Sequence, residues 1–73
     1  MTKSLYSNDH KHLVEQLKKA RGEAGKDQKS VAKLLGKTQS YVSKIEAGQR
    51  KIDVIQLKEF ARIYKKGLSF FID

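Results

Sequence analysis

Apolar residues fall along this chain in short stripes separated by glycines and capping residues. Leu13, Leu17, Ala20 and Ala24 recur at i, i+4, i+7 and i+11, the spacing of one helical face. Ser7, Asn8 or Asp9 can cap that helix, and Gly25 ends it. Asp27 caps a second helix over Gln28 to Leu35, with Val31, Leu34 and Leu35 turned inward. Gly36 stops it with φ > 0. Thr38 caps a third helix over Gln39 to Ala47, which turns Val42 and Ile45 inward and ends at Gly48. Asp53 with Gln56 forms a capping box for a fourth, whose apolar face is Val54, Leu57, Phe60, Ala61 and Tyr64 and whose end is Gly67. LSFFID then makes a last turn or short helix, in which Leu68, Phe71 and Ile72 cover the core while Phe70 points away. No run alternates with period two, so no sheet is expected. The fold predicted is all-α, a compact bundle of four to five short helices, over residues 7–73, preceded by a flexible basic arm over residues 1–6.

The second and third helices are joined only by Gly36, Lys37 and Thr38. Two short helices linked by a three- or four-residue turn containing glycine describe a helix-turn-helix. In that motif the second helix enters the DNA major groove and the first crosses the backbone. The third helix fits the role by composition. With Val42 and Ile45 inward, Gln39, Ser40, Ser43 and Lys44 lie outward, a polar face suited to base edges and phosphates. Gln can pair bidentately with adenine, and Lys with guanine O6 and N7.

Gln28, Ala32 in the middle of its helix, Gly36 in the turn and Ser43-x-Ile45-Glu46-x-Gly48 stand in a specific order and spacing. Together they resemble the lambda repressor/Cro-type (XRE-like) helix-turn-helix domains, a likeness covering roughly residues 12–72. The resemblance implies that Gln39, Ser40 and Lys44 read bases. Tyr41 could meet a thymine methyl, a sugar or a phosphate, or pack on the neighbouring helix. Gln28 at a helix N-terminus suits a phosphate, although it could only cap. Ser43, Gln49, Arg50 and Lys51 suit the backbone, where contacts fix register rather than sequence. The resemblance also implies an ion pair between Glu46 and Arg21, clamping the first helix to the third. Two positions depart from the family pattern. Lys37 replaces an apolar residue and leaves the turn less anchored, and Ile52 replaces a frequent proline.

Charge strengthens this picture. Sixteen Lys and Arg against 8 Asp and Glu give +8 on 73 residues, a balance that favours polyanions such as double-stranded DNA. A chain this short buries only about 60% of its unfolded surface. It has no cysteine for a disulfide or thiolate metal site, which fits the cytoplasm, here of bacterial or phage type by the resemblance. No apolar run approaches the length of a membrane span, and MTKSLYSNDHKH has no secretory apolar region, so no membrane partner is expected. His10 and His12 point apart on a helix and are read as solvated, not as metal ligands. No phosphate loop or convergent acid/base set suggests catalysis, and no cofactor is expected.

The function predicted is a sequence-specific transcriptional regulator, a repressor, binding a pseudo-palindromic operator as a homodimer. Phe70 is the candidate dimer contact, since the resemblance implies pairing through C-terminal helices. The alternative is an antitoxin or accessory DNA-binding subunit whose main role is holding a partner protein. Non-specific binding by charge alone is disfavoured by the motif and by the absence of an interleaved aromatic platform.

Overall fold

Each apolar stripe becomes a helix in the computed structural model, which describes residues 8–73. The basic arm expected over residues 1–6, and Ser7 as a cap, lie outside the described residues. The order is α1 (Asn8–Glu23), α2 (Gln28–Leu35), α3 (Gln39–Glu46), α4 (Val54–Tyr64) and α5 (Ser69–Ile72), with no strand among the described residues. Asn8 and Asp9 are inside α1 rather than ahead of it.

Local bonds set the helix ends. The Ser30 N–H donates to Asp27 Oδ1 at 2.7 Å, and the Tyr41 N–H to Thr38 Oγ1 at 3.2 Å. Asp53 and Gln56 exchange bonds in a full capping box at 2.7 and 2.9 Å. The C-terminal ends of α1 to α4 share one device, a left-handed residue followed by an N–H that reaches back to the last turn. In α2, Gly36 at φ 69° lets the Lys37 N–H donate to the Ala32 carbonyl at 2.9 Å. Gly25 and Gly48 do the same for α1 and α3. At α4 the left-handed residue is Lys65, at φ 57°, and not the expected Gly67.

The core gathers Leu17 and Ala20 of α1, Val31 and Ala32 of α2, and Val42 and Ile45 of α3. Leu57, Phe60, Ala61 and Tyr64 of α4 and Phe71 of α5 complete it. Ala32 is 2% exposed, the small side chain where α2 meets its neighbours. α5 is tied to α1 by Gln16, whose Nε2 donates to the Phe70 carbonyl at 2.8 Å. Lys66 joins the ends of α4 and α1 through Glu23 at 2.7 Å and lies over the Phe70 ring.

Several side chains depart from their expected sides. Leu34 is 59% exposed. At about 100° per residue, Val31, Ala32 and Leu35 share an arc, and Leu34 falls about 100° from its middle. Val54 is on the correct face of α4 but a full turn before Leu57, and it stays exposed. His10 is buried, against the expectation that it is solvated, because it stands seven residues before Leu17 and shares its face. His12 is exposed as expected. At the C-terminus the assignments exchange. Ile72 is exposed, while Phe70 is half-buried, packed on the core and edge-on to Phe71.

A side chain with a Cβ is disfavoured in the left-handed region, by about 1–2 kcal/mol. Lys65 is exposed there, and its backbone N–H, which a glycine keeps, donates to the Arg62 carbonyl at 3.3 Å. Lys65→Gly should therefore raise unfolding free energy by about 0.5–1 kcal/mol after the added unfolded-state entropy, read by urea denaturation.

Candidate nucleic-acid interface

The two-helix unit is built from the turn outward. The left-handed Gly36 ends α2, Lys37 closes the reach-back bond, and Thr38 opens α3. Val31 and Ala32 then pack with Val42 and Ile45, all at or below 2% exposure. With that face of α3 spent on the core, Gln39, Ser40, Ser43 and Lys44 are all exposed. Gln49, Arg50 and Lys51 follow, exposed, in the segment leading to α4.

Beneath α3 lies a charged anchor. Glu46 is only 6% exposed. Arg21 Nε donates to its Oε2 at 2.8 Å and Arg21 Nη2 to its Oε1 at 3.0 Å, a bidentate fork. A third guanidinium nitrogen, Nη1, donates to the Lys26 carbonyl at 3.1 Å. Gln28 Nε2 donates to Glu46 Oε1 at 3.0 Å. The hydrogen bond to Glu46 raises the Arg21 pKa, against the opposing effect of burial. Tyr64 stands close enough to feel the same charges. Burial pushes its hydroxyl well above the usual range, Glu46 pushes the same way, and Arg21 opposes. That hydroxyl has no hydrogen-bond partner among the described residues.

The sequence-predicted residues therefore divide. Gln39, Ser40, Ser43 and Lys44 share one open face, and Arg50 lies beside it over the Tyr41 ring, whereas Lys51 lines a separate groove between the start of α1 and α5. Gln28 is engaged with Glu46, a bond that no spacing in the sequence announces, since 18 residues separate the two. Tyr41 is half-buried between helix and solvent. Arg50 lies 4.9 Å from the centre of its ring and Lys37 5.4 Å. Burial raises the Tyr41 pKa, and Arg50 opposes the rise. Lys37, which the sequence did not place in the site, stands in the turn between α2 and α3, where helical spacing does not apply, and only the fold brings it to Tyr41. Among the described residues, no group of three or more His, Cys, Asp or Glu could hold a metal ion, and no helix is long and apolar enough to cross a membrane.

Removing one partner of a buried ion pair leaves the other charged and unpaired. Arg21→Met should destabilise the domain by about 3 kcal/mol, toward the low end of the usual range because the arginine is partly solvated. A domain of this length holds about 4–11 kcal/mol in total, so the loss is large. The double variant Arg21→Met/Glu46→Leu should recover much of it. Chemical denaturation of the full double-mutant cycle measures both.

A helix-turn-helix family model matches residues 17–71, from the middle of α1 to α5. No curated protein matches the sequence. The match spans both motif helices, the turn at Gly36 and the buried Glu46, so the chain belongs to the helix-turn-helix family of lambda repressor/Cro (XRE-like) type, a family of DNA-binding regulators.

Proposed function

We propose that this chain is a sequence-specific transcriptional regulator, a cytoplasmic repressor, that lays α3 in the major groove of a pseudo-palindromic operator. The observation that carries the reading is the division of α3. Its inner face is held by the core and by the fork to Glu46, while Gln39, Ser40, Ser43 and Lys44 stand free on the outer face. Gln39, Ser40 and Lys44 read base edges. Ser43, Gln49, Arg50 and Lys51 hold the backbone and fix register. Gln28, bound to Glu46 on one side, reaches a phosphate with its remaining polar atoms at the start of α2. The chain works as a homodimer, with half-sites about 34 Å apart. Its pairing surface lies at the C-terminus, where Ile72 is 63% exposed and Phe70 keeps part of its ring open.

A second reading, an antitoxin or accessory subunit, is favoured by one observation. A groove of about 320 Å³ runs between the start of α1 and α5, with Leu13, Ile52, Phe71 and Ile72 among its walls. A partner protein's apolar segment would suit it as well as a second copy.

Selection of bound sites from a random duplex library at two salt concentrations tests the proposal. An inverted repeat surviving the higher salt is the expected result. A single enriched half-site would keep the reading role and remove the dimer. Binding that enriches nothing and vanishes with salt would overturn the regulator and direct the search to a partner protein.

The side-chain roles make separate predictions. Lys44→Ala should cost about 1–3 kcal/mol and relax preference at particular bases, whereas Arg50→Ala should weaken all sequences alike. A Lys44→Ala variant that weakens every sequence equally would remove its base-reading role. Titration of both variants against the selected site and its single-base mutants decides this.

A further inference from the structure

Cations without counter-ions are costly to gather in one place, and three are gathered beside α3. Lys37, Lys44 and Arg50 line a shallow depression of about 480 Å³, with Gly36, Thr38, Ser40 and Tyr41 as the rest of its wall. No carboxylate lines it. Among the described residues none of the three cations has an acidic partner within ion-pair distance. Two of them are held by one ring, Arg50 at 4.9 Å and Lys37 at 5.4 Å from the centre of Tyr41. A ring face orients a cation and leaves its charge intact. The depression is therefore a positively charged concavity with hydroxyl donors on its wall. Its chemistry fits an anionic oxygen ligand.

This inference rests on the reading that the outer face of α3 meets DNA. Ser40 and Lys44 belong both to that face and to the depression, so a strand read by α3 would carry its backbone past the opening. We propose that Lys37 neutralises a backbone phosphate of the bound duplex in this depression, beside Arg50, and that Tyr41 is a positioning residue which aims both cations. Lys37 stands where the family resemblance would put an apolar side chain, so this contact is a property of the chain's own sequence. Of the roles open to Tyr41 from the sequence, a base contact among them, it selects holding the cations that grip the backbone.

The test is the salt dependence of duplex binding. Each phosphate neutralised adds about 0.9 to the slope of log affinity against log salt. Lys37→Met should reduce the wild-type slope by about 0.9, so the affinity lost between about 50 and about 200 mM salt should be about 3.5-fold smaller. Lys37→Gln should give the same reduction, and Lys37→Arg should restore the wild-type slope. Base preference should stay unchanged in all three. Tyr41→Leu should weaken binding more in the wild type than in the Lys37→Met background. A wild-type slope in both Lys37→Met and Lys37→Gln would overturn the proposal and leave Lys37 a structural anchor for the turn. Lost preference at one base pair would overturn it by making Lys37 a reader. No salt-dependent duplex binding by the wild type would instead remove the DNA reading, and the proposal with it.

Discussion

The carboxylate of Glu46 is a negative charge buried under the helix whose outer face the proposed function brings to DNA. Water does not solvate it there, so the protein must, and it does so with three donors from two other elements. Arg21 brings two from α1 and Gln28 brings one from the start of α2. The same guanidinium reaches the Lys26 carbonyl in the turn between α1 and α2. One buried charge thus joins the first three helices at a single point. Such a pair adds little energy beyond a well-packed apolar replacement. Its fork does accept a narrow range of directions, and this restricts how α3 can lie on the helices beneath it.

That arrangement also sorts charge by depth. The one acid of α3 is inside and neutralised, while the nearby bases Lys37, Lys44 and Arg50 are outside. An approaching polyanion meets the cations with the repelling group already compensated. Tyr41 mediates between the layers, half-buried yet close to two of the exposed cations. Its ring supports the turn where Lys37 takes the place of an apolar anchor.

What could be read from the sequence was what short-range chemistry decides. Asp27, Thr38 and Asp53 bond to backbone three residues away, so their capping roles are written locally. Gly36 and Gly48 end helices for a reason contained in one dihedral angle. Helical spacing also places Val42 and Ile45 inward and the polar face of α3 outward. What could not be read depends on which neighbour arrives. Leu34 is apolar yet falls outside the arc its short helix buries. His10 is polar yet lies on the face that α1 turns to the core. The exchange of roles between Phe70 and Ile72 follows from how α5 docks on α1, which six residues of sequence do not encode. The bond from Gln28 to Glu46 is likewise a product of the fold. The contact of Lys37 with Tyr41 is of the same kind, since Lys37 lies in the turn ahead of α3 and no helical spacing relates the two.

α3 is closed at both ends by its own local bonds and secured from below by Glu46. None of those groups is among the four side chains exposed on its outer face. The domain's stability and the identity of those four residues are therefore nearly separate variables. Selection can rewrite the outer face with little penalty to folding, and under the proposed function each rewriting changes which duplex is preferred. On the proposed function, the helix is an interchangeable reading head on a separate mount, and a chain with so little spare stability remains free to acquire new targets.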